Sequence, residues 1–235
     1  MWHAKPSGAY NMNSSEGTDN IFEMYNIFAG VATVECISGI IGNSVSEGGL
    51  NPWRWQYDRS SSIPNLGYGL FQFTPGSGYT NLPGATPNMS VTSQTAGATY
   101  DDGAYQCIVM RDNILGKWVS SCWRSYWNTT TYSALYQYRS DVLNTWGSGS
   151  SISMSQFFAI TDIDAATFVM LACFEGPGVP NLTPRVTNAW AIHQILTGVV
   201  PPQPPTPPIP PTPPIGSGVP WWLIKKAYNN QHRLL

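Results

Sequence analysis

The chain is poor in charge. Only 10% of its 235 residues are Asp, Glu, Lys or Arg, and the formal net charge is −2. No broad attraction to nucleic acid or to an anionic lipid surface is available, so neither is expected as a partner. Histidine is scarcer still. His3, His193 and His232 stand far apart and pair with no cysteine or acid at a ligand or triad spacing, which excludes the usual patterns of zinc sites and of Ser-His or Cys-His nucleophiles. The four cysteines, Cys36, Cys107, Cys122 and Cys173, form no CxxC pair and are expected to be buried free thiols rather than a disulfide framework. No GxSxG, Walker loop or GxGxxG occurs; the nearest stretch, Gly67–Gln72, has Gln where the third glycine would stand, and nucleotide binding is unsupported. No metal and no cofactor are therefore expected. Long apolar runs are also missing. Met24–Val45 is interrupted by Glu35 and Ala165–Phe174 is too short, so no membrane span is predicted, and the polar start through Pro6, Gly8, Asn11 and Asn13 reads as no secretory leader.

What the chain does have is apolar and aromatic mass. Hydrophobic residues reach 42% and aromatics 13%, including ten Trp and twelve Tyr, a composition that builds a core and not a disordered coil. Proline is concentrated: ten of the twenty lie between Pro201 and Pro214 in a three-residue repeat. Such a run takes the polyproline II conformation, and at about 3.1 Å per residue it makes a semi-rigid spacer of roughly 43 Å. The predicted organisation is a globular body over 1–200, a polyproline linker over 201–215 and a short tail over 216–235. The tail carries Trp221, Trp222, Leu223 and Ile224, then Lys225 and Lys226, which suits docking onto another protein.

Within the body, apolar periodicity predicts helices over 19–28, 32–47, 102–119, 132–146, 154–160, 163–175 and 184–197. Ser153 with Gln156 forms a capping box. Thr183 before Pro184 reads as an N-cap, and Gly48 and Gly198 as left-handed C-caps. Between Asn51 and Gly78 the pattern changes to alternation, with Trp53, Trp55 and Tyr57 separated by Arg54 and Gln56, followed by Leu70-Phe71-Gln72-Phe73-Thr74. This predicts short strands. The expected fold class is α+β, mainly α, with a small β excursion.

Chemistry then falls to carboxylates, and the chain has only five glutamates, Glu16, Glu23, Glu35, Glu47 and Glu175. Glu47 is the unusual one. At 100° per residue it lies within about 20° of Ile40 and Cys36, on the apolar stripe of its helix. Burial and the negative end of the helix dipole would both raise its pKa, the specification for a general acid that donates to a leaving glycosidic oxygen. An ordinary C-terminal glutamate reaching solvent is the competing reading.

The sequence Ser46-Glu47-Gly48-Gly49-Leu50-Asn51-Pro52, followed by Gly67-Tyr68-Gly69-Leu70-Phe71-Gln72-Phe73-Thr74-Pro75 and by Phe174-Glu175-Gly176-Pro177 with Arg185 downstream, resembles the phage tail lysozyme family. The resemblance spans roughly residues 19–197. It implies a lysozyme-like fold, related to goose-type lysozymes and lytic transglycosylases, in which an acid ends a helix and a Gly-aromatic-Gly-Leu-x-Gln strand lines the facing side of a cleft. It implies a peptidoglycan-cleaving enzyme with Glu47 as proton donor. Relatives often carry Ser after that Glu, where this chain has Gly48.

Hydrolysis with two carboxylates needs a second acid. Asp58, in the predicted β excursion, is the candidate, against a plain solvated turn aspartate. Without a second acid in reach, the resemblance implies transglycosylation by the sugar's own hydroxyl. Trp53, Trp55, Tyr57, Tyr68, Phe71 and Tyr79 are expected near the cleft, with Trp55, Tyr68 and Gly69 contacting glycan and Gln72 and Thr74 hydrogen-bonding it from one strand face. Glu175 is expected to pair with Arg185 behind the cleft. The function expected is a virion-associated tail lysozyme acting on the host wall during genome entry, its spacer and tail joined to other virion proteins. An endolysin used at lysis, or a non-catalytic structural or sugar-binding virion protein, are the alternatives.

Overall fold

The computed structural model describes residues 1–58, 67–73, 103–114, 123, 130–177 and 179–198. Met1–Pro201 form one compact unit, and the predicted linker and tail lie outside the described residues.

The central element is a helix that intrinsic propensity would not select. Its sequence, VECISGIIGNSVSE, is rich in β-branched residues and contains two glycines, so its stability comes from tertiary packing. This helix, α2 (Val34–Glu47), follows α1 (Ser15–Phe28), and Cys36 through Ser44 are buried without a break. Thr33 caps it by accepting from the Cys36 N–H at 3.1 Å, and Glu35 places an acid in its first turn, where the dipole favours it.

Two helices clasp α2. One is α6 (Ile163–Val169), which continues as a π-helical turn over Met170–Glu175, and the other is α7 (Leu182–Thr197). The glycines of α2 explain how closely they lie. A Cβ at Gly39 would come within 2.7 Å of the Thr167 amide nitrogen, and one at Gly42 within 2.7 Å of Ala189 backbone atoms. The helices touch backbone to backbone there, and no larger residue fits.

The remaining helices are α3 (Gly103–Val109), which runs into a π turn at Met110–Ile114, α4 (Ser133–Trp146) and α5 (Met154–Phe158). The capping box of α5 is present: Ser153 Oγ accepts from the Gln156 N–H, and the Gln156 side chain accepts from the Ser153 N–H. Among the described residues, no helix is long and apolar enough to cross a membrane. Cys36, Cys107 and Cys173 are buried and outside any disulfide; Cys122 is outside the described residues.

Three expectations are corrected. The last helix starts at Leu182, with Asn181 at the N-cap, so Thr183 is not its cap and Pro184 falls at the third helical position. Gly48 is right-handed, φ −89°, and the left-handed backbone falls on Gly49 and Leu50 instead, at φ 59° and 58°. The predicted strands shrink to isolated antiparallel bridges, Trp55 with Tyr68 and Tyr68 with Phe73, and no strand occurs among the described residues. The reason lies in Leu70 and Phe71: they are consecutive and both buried, so true alternation is broken, and the chain turns back on itself. The mainly helical expectation holds.

Candidate active site

Glu47 is the last residue of α2, and its side chain keeps 23% of its surface exposed. One turn earlier on the same face sits the buried Asn43. Arg185, in the first turn of α7, engages both. Its Nη2 donates to Glu47 Oε1 and its Nη1 to Asn43 Oδ1 at 2.9 Å. Each charge is at the unfavourable end of its own helix: a carboxylate by the negative end of α2, a guanidinium by the positive end of α7. Pairing them relieves both. Asn43 is fixed in turn, because its Nδ2 donates to the Gly39 carbonyl at 2.9 Å and to the Thr167 carbonyl at 3.1 Å.

Against the end of α2 lies a tight turn. Tyr68 and Phe73 exchange backbone hydrogen bonds at 2.8 and 2.9 Å, enclosing Gly69–Gln72, with positive φ at Gly69 (78°) and Gln72 (48°). The contact with α2 is close enough to require glycine: a Cβ at Gly48 would meet the Gly69 carbonyl oxygen at 2.4 Å and Leu70 Cα at 2.6 Å. Glycine at position 48 therefore has a steric reason. Ser44 Oγ donates to the Leu70 carbonyl at 2.9 Å, and the buried Gln106 accepts from the Leu70 N–H at 2.9 Å while donating to the Pro52 carbonyl at 2.7 Å. The turn is thereby tied to α2 on one side and to α3 on the other.

Glu175 completes the cluster. It ends the π turn, where Gly176 takes the left-handed conformation. The preceding Phe174 packs edge-on against Phe71 and Phe73, with ring centroids 6.4 Å apart in both pairs. Glu175 Oε1 is enclosed and has no hydrogen-bond partner among the described residues. Burial pushes the Glu175 carboxyl well above the ordinary carboxylate range; the charge of Glu47 adds to this, and Arg185 opposes it less strongly. The pairing expected between Glu175 and Arg185 is made by Glu47 instead. Arg185 has a single fork, and with Asn43 bonded to one arm the other reaches the end of α2.

A sequence-family model for phage tail lysozyme matches residues 20–196. The chain belongs to the phage tail lysozyme family. No curated protein sequence matches it.

In this lysozyme-like phage protein the expected glycan contacts divide. Trp55 and Tyr68 are both 3% exposed and pack on each other with centroids 4.5 Å apart, so they are core and not a sugar platform. Gly69 is buried behind Gln106, and Gln72 spends its Nε2 on the Gly69 and Arg54 carbonyls at 3.0 and 3.3 Å. Among the described aromatics expected near the cleft, Tyr57 is the exposed one, at 72%. Asp58 closes the short 3-10 turn Gln56–Asp58, and Thr74 and Tyr79 lie outside the described residues. Among the described residues, no group of three His, Cys, Asp or Glu is placed to hold a metal ion.

Sequence reasoning missed the amides. Asn43, Gln106, Asn20 and Asn51 are all fully buried. The only signal was polarity at positions where α1 and α2 periodicity, and the residues around Pro52, called for apolar side chains. Asn51 and Asn20 bind the N-terminal arm. Asn51 Nδ2 donates to the Lys5 and Gly8 carbonyls at 2.9 and 2.8 Å, Asn20 Nδ2 donates to the His3 and Leu50 carbonyls at 2.9 and 2.8 Å, and the Tyr10 N–H donates to the Gly49 carbonyl at 2.8 Å. The turn that follows Glu47 is held in its left-handed path from outside the segment the family model covers.

Proposed function

We propose that the protein is a virion-associated glycosidase that cleaves the glycan strands of host peptidoglycan during genome entry, with Glu47 as the general acid. The carrying observation is Glu47 itself: a carboxyl fixed from behind by Arg185 and reaching solvent beside the Gly69–Gln72 turn. A proton donor needs a fixed position and access to the leaving oxygen, and Glu47 combines the two. Membership of the phage tail lysozyme family supports the substrate class. The exposed ring of Tyr57 is available to pack on the C–H face of a sugar.

Hydrolysis through two carboxylates would draw on Asp58 as the second acid. Transglycosylation would need Glu47 alone. Glu47→Gln keeps size and polarity but removes the ionisable proton, so wall degradation should fall at least about a hundredfold while the fold is kept. Glu47→Gln clearing purified cell wall at the parent rate would remove Glu47 from this role. Mass spectrometry of the digested wall, repeated with Asp58→Asn, separates the chemistries. Reducing ends lost in Asp58→Asn mark hydrolysis, and anhydro ends kept in it mark transglycosylation.

A further inference from the structure

The turn behind Glu47 is one that residue type alone would not hold. Gly48 leaves α2, and Gly49 and Leu50 follow with φ of 59° and 58°. For leucine that backbone is sterically disfavoured, so it persists only where the surroundings over-determine it. Both left-handed residues are bonded from outside the turn: the Gly49 carbonyl accepts from the Tyr10 N–H at 2.8 Å, and the Leu50 carbonyl from Asn20 Nδ2 at 2.8 Å. Residues 3–10 lie directly on the turn, since a Cβ at Gly49 would meet Ala9 Cβ at 2.4 Å.

The grip on those residues is through their main chain. Asn20 Oδ1 accepts from the His3 N–H at 2.8 Å while Nδ2 donates to the His3 carbonyl at 2.9 Å, and Asn51 does the same at Lys5, at 3.2 and 2.9 Å. Each amide engages both polar groups of one residue, as a neighbouring strand would. Asn20 is fully buried, and because its Nδ2 also serves Leu50, one side chain of α1 joins the arm to the turn.

We propose that residues 3–10, with Asn20 and Asn51, are a positioning part of the catalytic site: by fixing Gly49 and Leu50 they fix the exit of α2, and with it the aim of the Glu47 carboxyl. This rests on Glu47 being the acid. Arg185 holds that carboxyl from behind, and the turn holds the backbone that carries it. The Gly48 and Gly49 N–H groups both donate to the Ser44 carbonyl, at 2.9 and 3.0 Å, so a changed path at Gly49 passes directly into the last turn of α2. Asn20 is enclosed and touches no substrate. It acts through Leu50, as a positioning residue.

The test is Asn20→Ala in the full chain beside Glu47→Gln, with kcat and KM measured on purified glycan strands below the melting range of each protein. Phe157→Leu is the comparison, because it loosens the core at α5, by the opposite end of α2, where the Phe158 carbonyl accepts from the Thr33 N–H. In Asn20→Ala kcat should fall about tenfold or more with KM within about twofold, while Phe157→Leu keeps the parent kcat. Parent kinetics in Asn20→Ala beside an inactive Glu47→Gln overturn the proposal and leave the Glu47 assignment standing. An equal fall in Phe157→Leu overturns it as well, since lost stability alone would then suffice; an active Glu47→Gln overturns the assignment and the proposal with it. Amide hydrogen exchange of the unsubstituted protein supplies a reading that no variant's folding can disturb. The His3, Lys5 and Tyr10 N–H groups should exchange more slowly than in an unstructured chain, and exchange at the free rate overturns the proposal.

Discussion

Removing the Arg185 side chain should cost more stability than any other single change at the site. Arg185 is 7% exposed and serves two buried or half-buried acceptors. Arg185→Ala leaves Asn43 Oδ1 without its donor in the core, worth about 1 to 3 kcal/mol. It also strips the carboxylate of Glu47 of its partner, and breaking a buried ion pair from one side costs about 3 to 5 kcal/mol. Glu47 retains some access to water, which moves the sum to the low end, about 4 kcal/mol. For a domain of this size each kcal/mol lowers Tm by about 2 to 4 °C, so the drop should be about 8 to 16 °C. Urea unfolding followed by tryptophan fluorescence gives the same quantity as a lower midpoint at constant m. Arg185→Lys should recover part of the loss, because an ammonium can pair with Glu47 but lacks the fork that also reaches Asn43. A double-mutant cycle with Glu47→Gln should return a coupling of at least about 1 kcal/mol. An Arg185→Ala protein within about 0.5 kcal/mol of the parent would refute the reasoning, since the guanidinium could not then be what satisfies these groups.

Gly48→Ala must push the Gly69–Leu70 backbone away from α2, so it should cost about 1 to 3 kcal/mol and reduce wall degradation with it, measured by unfolding and turbidity clearing; a silent variant would mean the turn is not held against Glu47. The Glu175 carboxyl sits above its unfolded value, so its contribution to stability is present at pH below the ordinary carboxylate pKa and is lost as pH rises through the folded value. Tm should therefore fall across that window in the parent and stay flatter in Glu175→Gln, read by calorimetry over a pH series. Truncation after Val200 should leave a folded enzyme with unchanged activity on free wall fragments and remove the protein from purified particles; aggregation of the truncated form would refute the docking role read from Trp221–Ile224.

The helix bearing Glu47 was legible in the sequence because Cys36, Ile40 and Glu47 fall on one stripe, and its packing against α6 and α7 made that stripe the core. Its immediate surroundings were less so. Trp55 and Tyr68 read as a sugar platform by residue type, but aromatic rings fill cores as readily as clefts, and only the packing of one ring on the other separates the two. The exchange of partners among Glu47, Glu175 and Arg185 had no local signal at all: two acids at opposite ends of the chain compete for one cation, and the outcome is decided by Asn43, which turns the guanidinium toward α2. The Gly69–Gln72 turn was misread as a strand because Gln72 adopts a left-handed backbone that its residue type does not announce.

The N-terminal arm sets where this lysozyme-like domain can be cut and pasted. Asn20 and Asn51 bond the arm through His3, Lys5 and Gly8, and Tyr10 closes on Gly49, all upstream of the first residue the family model matches. A gene fragment excised at that point and joined to another tail protein would carry the acid but not the strap behind it. It would leave Asn51 Nδ2 without its two carbonyl acceptors and Asn20 Nδ2 with the Leu50 carbonyl alone. Exchange of this domain between phages by recombination therefore has to carry residues 3–10 along with the segment that the family model matches.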